Sequence, residues 1–409
     1  MLKTIANTHD LTDLSKRPFL LYMILSTLPK ILKEVKDKGH TKINASKLYS
    51  VYTDNWIKRE DSKNKTLIKK SDKELFCKEF AFELYTTNAQ SLSYRDFPDT
   101  IKKYFKDIVR IEDVDYFSHD IQSCSFLTSD RTGDFKFIHK SFMEYFVSDR
   151  VISKLSDCIK KTKNSNENIN DINNILGNTY FSMEICLFIN DILNLTQNKV
   201  LKNIVYFFKD INIVAKANLL SIIAKTETNM SNFLLNYNVS DVDITHVDFS
   251  NAKFIGGIFK NISFDNIQFY SVLFEGVTFI NCNFSGSIFE KSELKELKFY
   301  NCNFNSSEWR GINLTNCNFN DEDDILTLKS ENLYFNSYNF CNFENSMWQD
   351  SSIVNCSFNG CDFVENKMRS MIINKSTFCC VDFSGTDILG KFDIKDNNFY
   401  EVTGKPYEF

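Results

Sequence analysis

The sequence predicts an α + β multidomain chain: a helical region first, then a solenoid built as a square coil. Three observations predict this. An apolar residue recurs every five positions from Ile244 onward. Apolar residues recur at 3–4 spacing over residues 10–235. The charge changes sign between the two: residues 241–409 hold 24 acidic and 13 basic side chains, a net of −11, which leaves +6 for residues 1–240. The bulk composition is that of a globular chain. Its 409 residues are 43% hydrophobic and 25% charged, with 39 Phe against 12 Gly and 4 Pro. That is too apolar for disorder and too poor in Gly and Pro for a linker or a collagen.

The five-residue series runs Ile244, Phe249, Phe254, Phe259, Phe264, Phe269, Phe274, Phe279, Phe284, Phe289, Leu294, Phe299, Phe304, Trp309, Leu314, Phe319. A second series, one register away, runs Leu328, Leu333, Tyr338, Phe343, Trp348, Ile353, Phe358, Phe363, Met368, Ile373, Phe378, Phe383, Ile388. By chance thirteen consecutive apolar positions arise about once in 10⁵ trials at this composition. The position two before each central residue is mostly small or β-branched, as at Ala252, Val272, Cys282, Ser287, Cys302, Cys341 and Val381. A period of five fits neither a 3.6-residue helix nor a two-residue strand. It fits a coil in which each unit forms one side and turns one corner, with a large and a small residue pointing inward. Four units make a coil, so central residues 20 apart stack on one wall. Phe249, Phe264, Phe284, Phe304, Phe319, Phe343, Phe363 and Phe383 are the core residues of this ladder. About seven coils at the strand spacing of about 4.8 Å give a rod on the order of 34 Å long.

The units Val247-Asp248-Phe249, Cys282-Asn283-Phe284, Cys302-Asn303-Phe304, Cys317-Asn318-Phe319, Cys361-Asp362-Phe363 and Val381-Asp382-Phe383 resemble the pentapeptide-repeat family, whose pattern is A(D/N)LXX with Leu or Phe central. The resemblance covers roughly 241–390 and implies a right-handed quadrilateral β-helix. Six of the twelve cysteines occupy the small inward position, where Cys acts as a small hydrophobe and not as a metal ligand. The acidic run Asp321-Glu322-Asp323-Asp324 coincides with the register slip. It reads as a solvated bulge, with a cation site as the other reading.

In the first half, Pro18 suits a helix first turn, and Phe19, Leu20, Met23, Ile24 and Leu28 form one face of that helix. Leu48, Val51, Tyr52 and Ile57 mark a second helix. Ser71 and Glu74 read as a capping box that opens a third, which carries Leu75, Phe76, Phe80 and Leu84. Residues 124–127 and 135–138, joined through Asp130-Arg131-Thr132-Gly133, predict a β-hairpin. A helix from Ser141 to about Leu155 follows. Helices, hairpin and helix together make a winged-helix-like unit. The Lys/Asn/Ser-rich stretch 160–174 reads as a loop, and further helices fill 176–235.

Phe137-Ile138-His139-Lys140-Ser141-Phe142-Met143-Glu144-Tyr145-Phe146 resembles the F-x-H-x-S-F-x-E-[FY]-F segment in the winged-helix domain of NACHT-type (STAND) signalling ATPases. In that family the His touches the β-phosphate of bound ADP and helps hold the closed state, and His139 is the matching position. Arg17-Pro18-Phe19-Leu20-Leu21 resembles the family's segment whose Pro packs against adenine, and Pro18 matches it. Residues 48–60 are also typical of the family. The resemblance covers about 10–155 and implies that 176–235 form a second helical domain. The chain departs from the family in one decisive respect: no G-x4-G-K-[ST] occurs in it. An ATPase core is therefore expected upstream of Met1 or in trans. The chain by itself is expected to be no enzyme. It carries no cofactor of its own, and ADP or ATP with Mg enters only with such a core.

The expected domains are 1–155 (helical and winged-helix-like), 156–238 (helical), 239–392 (repeat solenoid) and 393–409 (terminal cap). The longest apolar run near the start, Phe19 to Leu25, is far short of a membrane span of roughly 20 residues, and no signal-peptide core precedes it. With no C-x2-C pair, the cysteines read as reduced thiols of a cytoplasmic protein. Neither half is basic enough to argue for direct nucleic-acid binding. The function the resemblances imply is a non-catalytic regulatory and ligand- or partner-sensing module of a NACHT-type ATPase, in prokaryotic anti-phage defence. The alternative is an acidic repeat rod that binds DNA gyrase or another partner by mimicking DNA. The interleaving of Glu290, Glu293 and Glu296 with Lys291, Lys295 and Lys298 argues against the acidic stripe that mimicry requires.

Overall fold

The computed structural model describes residues 18–38, 44–63, 69–93, 95–96, 99–100, 102, 126–129, 131–160, 165–195, 199–225, 238–239, 242, 244–320 and 341–404. The acidic run 321–324 and the central positions Leu328, Leu333 and Tyr338 lie outside them. The chain divides into two compact units, Met1–Asp171 with Phe181–Asn203, and Ile172–Tyr180 with Ile204–Phe409.

The first unit holds α1 (Pro18–Lys38), α2 (Ala45–Lys63), α3 (Lys70–Thr86), the hairpin β1 (Leu127–Ser129) and β2 (Phe135–Phe137), α4 (Lys140–Lys160) and α6 (Met183–Leu195). Helix α4 packs on α3 and α6, and α1 packs on α2. Aromatic side chains fill the centre. Phe142 lies 4.9 Å from Tyr49 and 5.2 Å from Phe126, and Phe137 lies 5.6 Å from Phe80 and 5.8 Å from Phe146. Each ring taken from water contributes about 1.5–3 kcal/mol, so this cluster is the main reason the elements converge. In the hairpin Leu127 pairs with Phe137, and Gly133 takes a φ of 88° that the turn requires. Leu92 adds a bridge on the other edge of β2, its N–H donating to the Phe135 carbonyl at 2.9 Å.

Two expectations are corrected here. Ser71 does not cap α3: the N-cap is Lys69, with no side-chain cap bond, so Ser71 is already inside the helix. Glu74 turns instead toward the Lys70 ammonium, 3.8 Å away. The stretch read as a loop at 160–174 is mostly helix, α5 (Ser165–Leu176). Its polar composition hides a narrow apolar stripe, with Ile172, Ile175 and Leu176 all buried.

The second unit opens with the end of α5, α7 (Lys199–Val205, which straddles the division) and α8 (Ile213–Ala224). Asn212 caps α8 by accepting the Ala215 N–H at 2.8 Å. Just past its end, Lys225 reaches Asp248 Oδ2 at 3.0 Å and the Ser250 carbonyl at 2.7 Å, which ties the helix to the first coil.

The rest is a four-walled parallel solenoid. Three walls are sheets of six, seven and eight short strands. The fourth is a ladder of single bridges: Ser263, Asn283, Asn303, Asn342, Asp362, Asp382, Thr403. The six-stranded wall carries Phe269, Phe289, Trp309, Trp348, Met368 and Ile388 in register. Apart from the two-residue Asn238–Val239, each strand is three residues long with its centre turned inward, so central residues five apart lie on successive walls. Rings 20 apart stack nearly parallel: Phe264 on Phe284 at 4.7 Å, Phe284 on Phe304 at 4.9 Å, Phe279 on Phe299 at 5.1 Å. Phe249, Phe264, Phe284, Phe304, Phe319, Phe343, Phe363 and Phe383 are all 1% exposed or less.

Corners explain the abundance of Asn. The residue two after a central position takes a left-handed φ, as at Asn261, Asn281 and Asn301 (56°, 53° and 51°). Asn tolerates that region better than other side chains with a Cβ. It also bonds along the rod, Asn301 Nδ2 donating to Asn281 Oδ1 at 2.7 Å and Asn281 to Asn261 at 3.2 Å. The small inward position is not merely apolar. Cys282 and Cys302 donate to the Phe259 and Phe279 carbonyls of the preceding coil, and Ser292 does the same to Phe269.

The stack departs from the expected register twice. Asn303 bridges Asn342 and Trp309 pairs with Trp348, so the coils on either side of 321–340 are adjacent. The expectation of central positions at 328, 333 and 338 lies outside the described residues. Beyond the boundary placed at 392, Asp393–Lys395 and Asn398–Tyr400 pair with Ile372–Asn374 and Thr377–Cys379. The segment expected as a cap thus continues the coil, absorbing one extra residue at the corner near Gly390.

Candidate functional site

His139 precedes α4 and caps it with its ring. Nδ1 accepts the Ser141 N–H at 3.1 Å, and the His139 carbonyl accepts the Phe142 N–H at 3.0 Å. Ser141 Oγ lies 2.6 Å from the same Nδ1 and accepts the Tyr49 hydroxyl at 2.6 Å. Tyr49 therefore donates to Ser141, and Ser141 donates on to His139. A ring nitrogen that accepts is unprotonated, so this network assigns the neutral imidazole proton to Nε2. Ser141 is 9% exposed and already engaged on both sides, which makes the Ser–His contact a strut and not an activated nucleophile.

The rest of the segment is divided between core and surface. Phe137, Phe142, Tyr145 and Phe146 are buried, whereas Ile138 is exposed. Glu144 is 3% exposed, and its carboxylate meets Lys140 Nζ at 2.9 Å, which holds the Lys140 ammonium above its usual pKa. Glu79, nearly buried between α3 and α4, pairs with Arg150 at 2.8 Å and Lys154 at 3.1 Å. Pro18 begins α1 as expected, and its side chain lies outside the described residues. A cleft of about 130 Å³ between α1 and α2 is lined by Tyr22, Ser26, Thr27, Tyr52, Asn55 and Trp56. His139 does not line it. Among the described residues no group of three metal-ligating side chains occurs, and no helix is long and apolar enough to cross a membrane.

The outer face of the rod alternates charge across single strands. Glu293 and Lys295 flank Leu294 and pair at 2.6 Å; Asp393 and Lys395 flank Ile394 and pair at 2.8 Å; Glu308 and Arg310 flank Trp309 and pair likewise. Lys291 lies over the Tyr270 ring, 5.0 Å from its centroid, and also contacts Glu290 at 3.6 Å. Such exposed pairs add little stability, but they break the acidic surface into short segments. Sequence reasoning read the inward ladder, which is buried, and singled out His139, which the structure places at the start of α4. It missed Tyr49, which is 92 residues from Ser141 in the chain and left no local signal.

Residues 252–323 match the family described as a pentapeptide repeat region. Over 155 residues the chain is 28% identical to an uncharacterised WD repeat-containing protein of Nostoc sp. (strain PCC 7120), covering 38% of this chain and 10% of that protein. The chain thus spans about a tenth of the length of that relative. Among solved structures, a trypsin-treated form of QnrB1, a plasmid-mediated fluoroquinolone resistance protein, is 15% identical with a TM-score of 0.22, covering 43% of this chain and 90% of QnrB1. HetL of Nostoc sp. strain PCC 7120, a pentapeptide repeat protein involved in heterocyst differentiation regulation, is 12% identical with a TM-score of 0.20, covering 39% and 69%. The five-residue period, the four-walled parallel stack and the family match identify the C-terminal solenoid as a pentapeptide-repeat domain.

Proposed function

We propose that this chain is a non-catalytic, cytoplasmic regulatory module. In this reading the repeat rod binds a ligand or protein partner, and the N-terminal unit, as a winged-helix-type element, couples that event to a NACHT-type ATPase supplied in cis or in trans. One observation carries the reading. In the segment that resembles the ATPase family, His139 is fixed at a helix start, its Nδ1 accepting the Ser141 N–H. A ring held in place beside a helix N-terminus suits contact with a phosphate oxygen. The rod suits sensing because its outward residues can vary without touching the ladder. The similar segment of the Nostoc WD-repeat protein occupies a tenth of that protein, as a module in a long chain would. Anti-phage defence is the setting the family resemblance implies.

The test is to express the chain with the P-loop ATPase encoded beside or upstream of it and to measure ADP retained on purification. Retention by the wild type and loss in His139→Ala support the reading. Unchanged retention, or no P-loop ATPase in the adjacent coding sequence, overturns it. The second reading, binding of DNA gyrase by DNA mimicry, draws on the net charge of −11 in residues 241–409. The pairing of Glu293, Glu308 and Asp393 with basic neighbours weighs against it. Inhibition or protection of gyrase by the purified chain would restore it to first place.

A further inference from the structure

Nine of the eleven cysteines described are buried; Cys379 is half-buried and Cys380 is exposed. Cys379 ends the strand Thr377–Cys379, and Cys380 takes the following corner with a φ of 53°. Every other described corner of this kind between 251 and 404 is Asn, Asp, Ser, Gly, Lys or Glu. The two sulfurs are 3.7 Å apart. On the next coil, Glu401 accepts the Cys380 S–H at 3.4 Å, and Tyr400 pairs with Cys379 along the wall.

Two bonds of about 2.3 Å at the angle of roughly 95–100° of a pyramidal trivalent centre bring two sulfurs to about 3.5 Å. The pair, 3.7 Å apart, is within a few tenths of an ångström of that bite. Among the described residues no group of three His, Cys, Asp or Glu side chains is placed to hold a metal ion, so the pair is not the beginning of a four-ligand zinc site. Two sulfurs are the donor set that a trivalent arsenical carrying one organic group requires.

We propose that Cys379 and Cys380 form a surface dithiol site on the rod that captures a trivalent arsenical. In the capture step each of two As–O bonds of an R–As(OH)₂ species breaks and an As–S bond forms in its place. Each thiol proton leaves with a departing hydroxyl, giving two waters, and no atom changes oxidation state. The hydrogen bonds with Cys379 and then Glu401 push the Cys380 thiol up to about 11, so it stays protonated near neutrality. A protonated thiol is a slow partner for a monofunctional alkylating agent. Chelation by two sulfurs does not share that handicap. The site is independent of the proposed coupling to an ATPase.

The experiment is native intact-mass spectrometry of the reduced full chain with one equivalent of phenylarsine oxide. One adduct, formed with loss of two waters from the hydrated reagent and reversed by 2,3-dimercaptopropanol, is expected. It should vanish in C379S and in C380S while the circular dichroism spectrum is unchanged. The proposal is overturned by the absence of an adduct, by its persistence in either single variant, or by its persistence in the double variant C379S/C380S.

Discussion

Phe304 and Phe343 are 39 residues apart in sequence and adjacent in the stack, their rings 4.7 Å apart and within 4° of parallel. The step from Phe319 to Phe343 along the chain is 24 residues where a regular step takes five, a surplus of 19. Hydrogen bonding across the junction is unbroken, the Asn342 N–H donating to the Cys302 carbonyl at 3.0 Å and Phe304 N–H to the Asn342 carbonyl at 2.6 Å. The described coils on either side of residues 321–340 are therefore direct neighbours in the stack.

Deletion of residues 322–340 tests this directly. It leaves Asp321 at the corner, a residue type already found at Asp350 and Asp396, and restores the five-residue step. Stability in urea should stay the same or rise by about 1 kcal/mol, because a shorter connection between neighbouring coils costs less closure entropy. Loss of the cooperative transition would show that residues 322–340 carry part of the core.

The junction also shows how far the sequence could be read. Periodicity determines which residues point inward, because a buried ring cannot be exchanged for a polar side chain at tolerable cost. It says nothing about which coils are neighbours. Leu328, Leu333 and Tyr338 keep the spacing and lie outside the described residues, while the coils on either side of them are neighbours. In the N-terminal unit the hairpin and the helices carrying Phe80 and Phe142 were legible from local spacing. The bond from Tyr49 to Ser141 was not, because a single long-range hydrogen bond leaves no period. Helix α5 was missed because three buried apolar residues among Asn and Ser are too few to outweigh composition.

Trp309 and Trp348 stack at 4.6 Å and 6°, yet their indole N–H groups are treated differently. Trp309 Nε1 donates to Ser307 Oγ at 2.7 Å. Trp348 Nε1 is buried with no hydrogen-bond partner among the described residues, and the corresponding Ser346 donates its hydroxyl to the Phe304 carbonyl. Both Trp→Phe changes remove the same volume from the same column. Trp309→Phe should cost about 1 kcal/mol more than Trp348→Phe in urea unfolding, because only the first breaks a bond while the second removes an unmet donor. Equal losses would place a partner on Trp348.

Asp248 links the first coil to Lys225. Burial acts to raise its carboxyl, but the Ser250 N–H and the Lys225 ammonium outweigh burial and hold it below the usual carboxylate range. A carboxyl with a lowered folded-state value stabilises the fold above its unfolded value of about 3.9 and loses that contribution as pH falls through the folded value. Asp248→Asn should therefore be less stable than the wild type at pH 7 by about 1 kcal/mol, a figure kept small because the carboxylate is 37% exposed. The gap should close below about pH 4. A gap that does not vary between pH 7 and pH 3 would mean that packing, not charge, accounts for it.

The relay from Tyr49 through Ser141 to His139 makes a prediction that a packing role alone does not. Tyr49→Phe removes the donor to Ser141 and frees its hydroxyl to turn away from the ring. Ser141→Ala removes the hydroxyl but keeps the backbone N–H that Nδ1 accepts. Each should destabilise the N-terminal unit by about 1 kcal/mol, the net worth of one buried hydrogen bond. The ¹⁵N shifts of the His139 ring should report Nε2–H in the wild type and in Ser141→Ala, because the backbone bond alone suffices to hold Nδ1 as acceptor. In Ser141→Pro, which also lacks that N–H, the tautomers should mix. Proline is tolerated in a helix first turn, so the helix start should survive the change. If the wild type instead shows the proton on Nδ1, the direction of the relay is reversed, and Nε2 becomes the acceptor that a phosphate contact could not use.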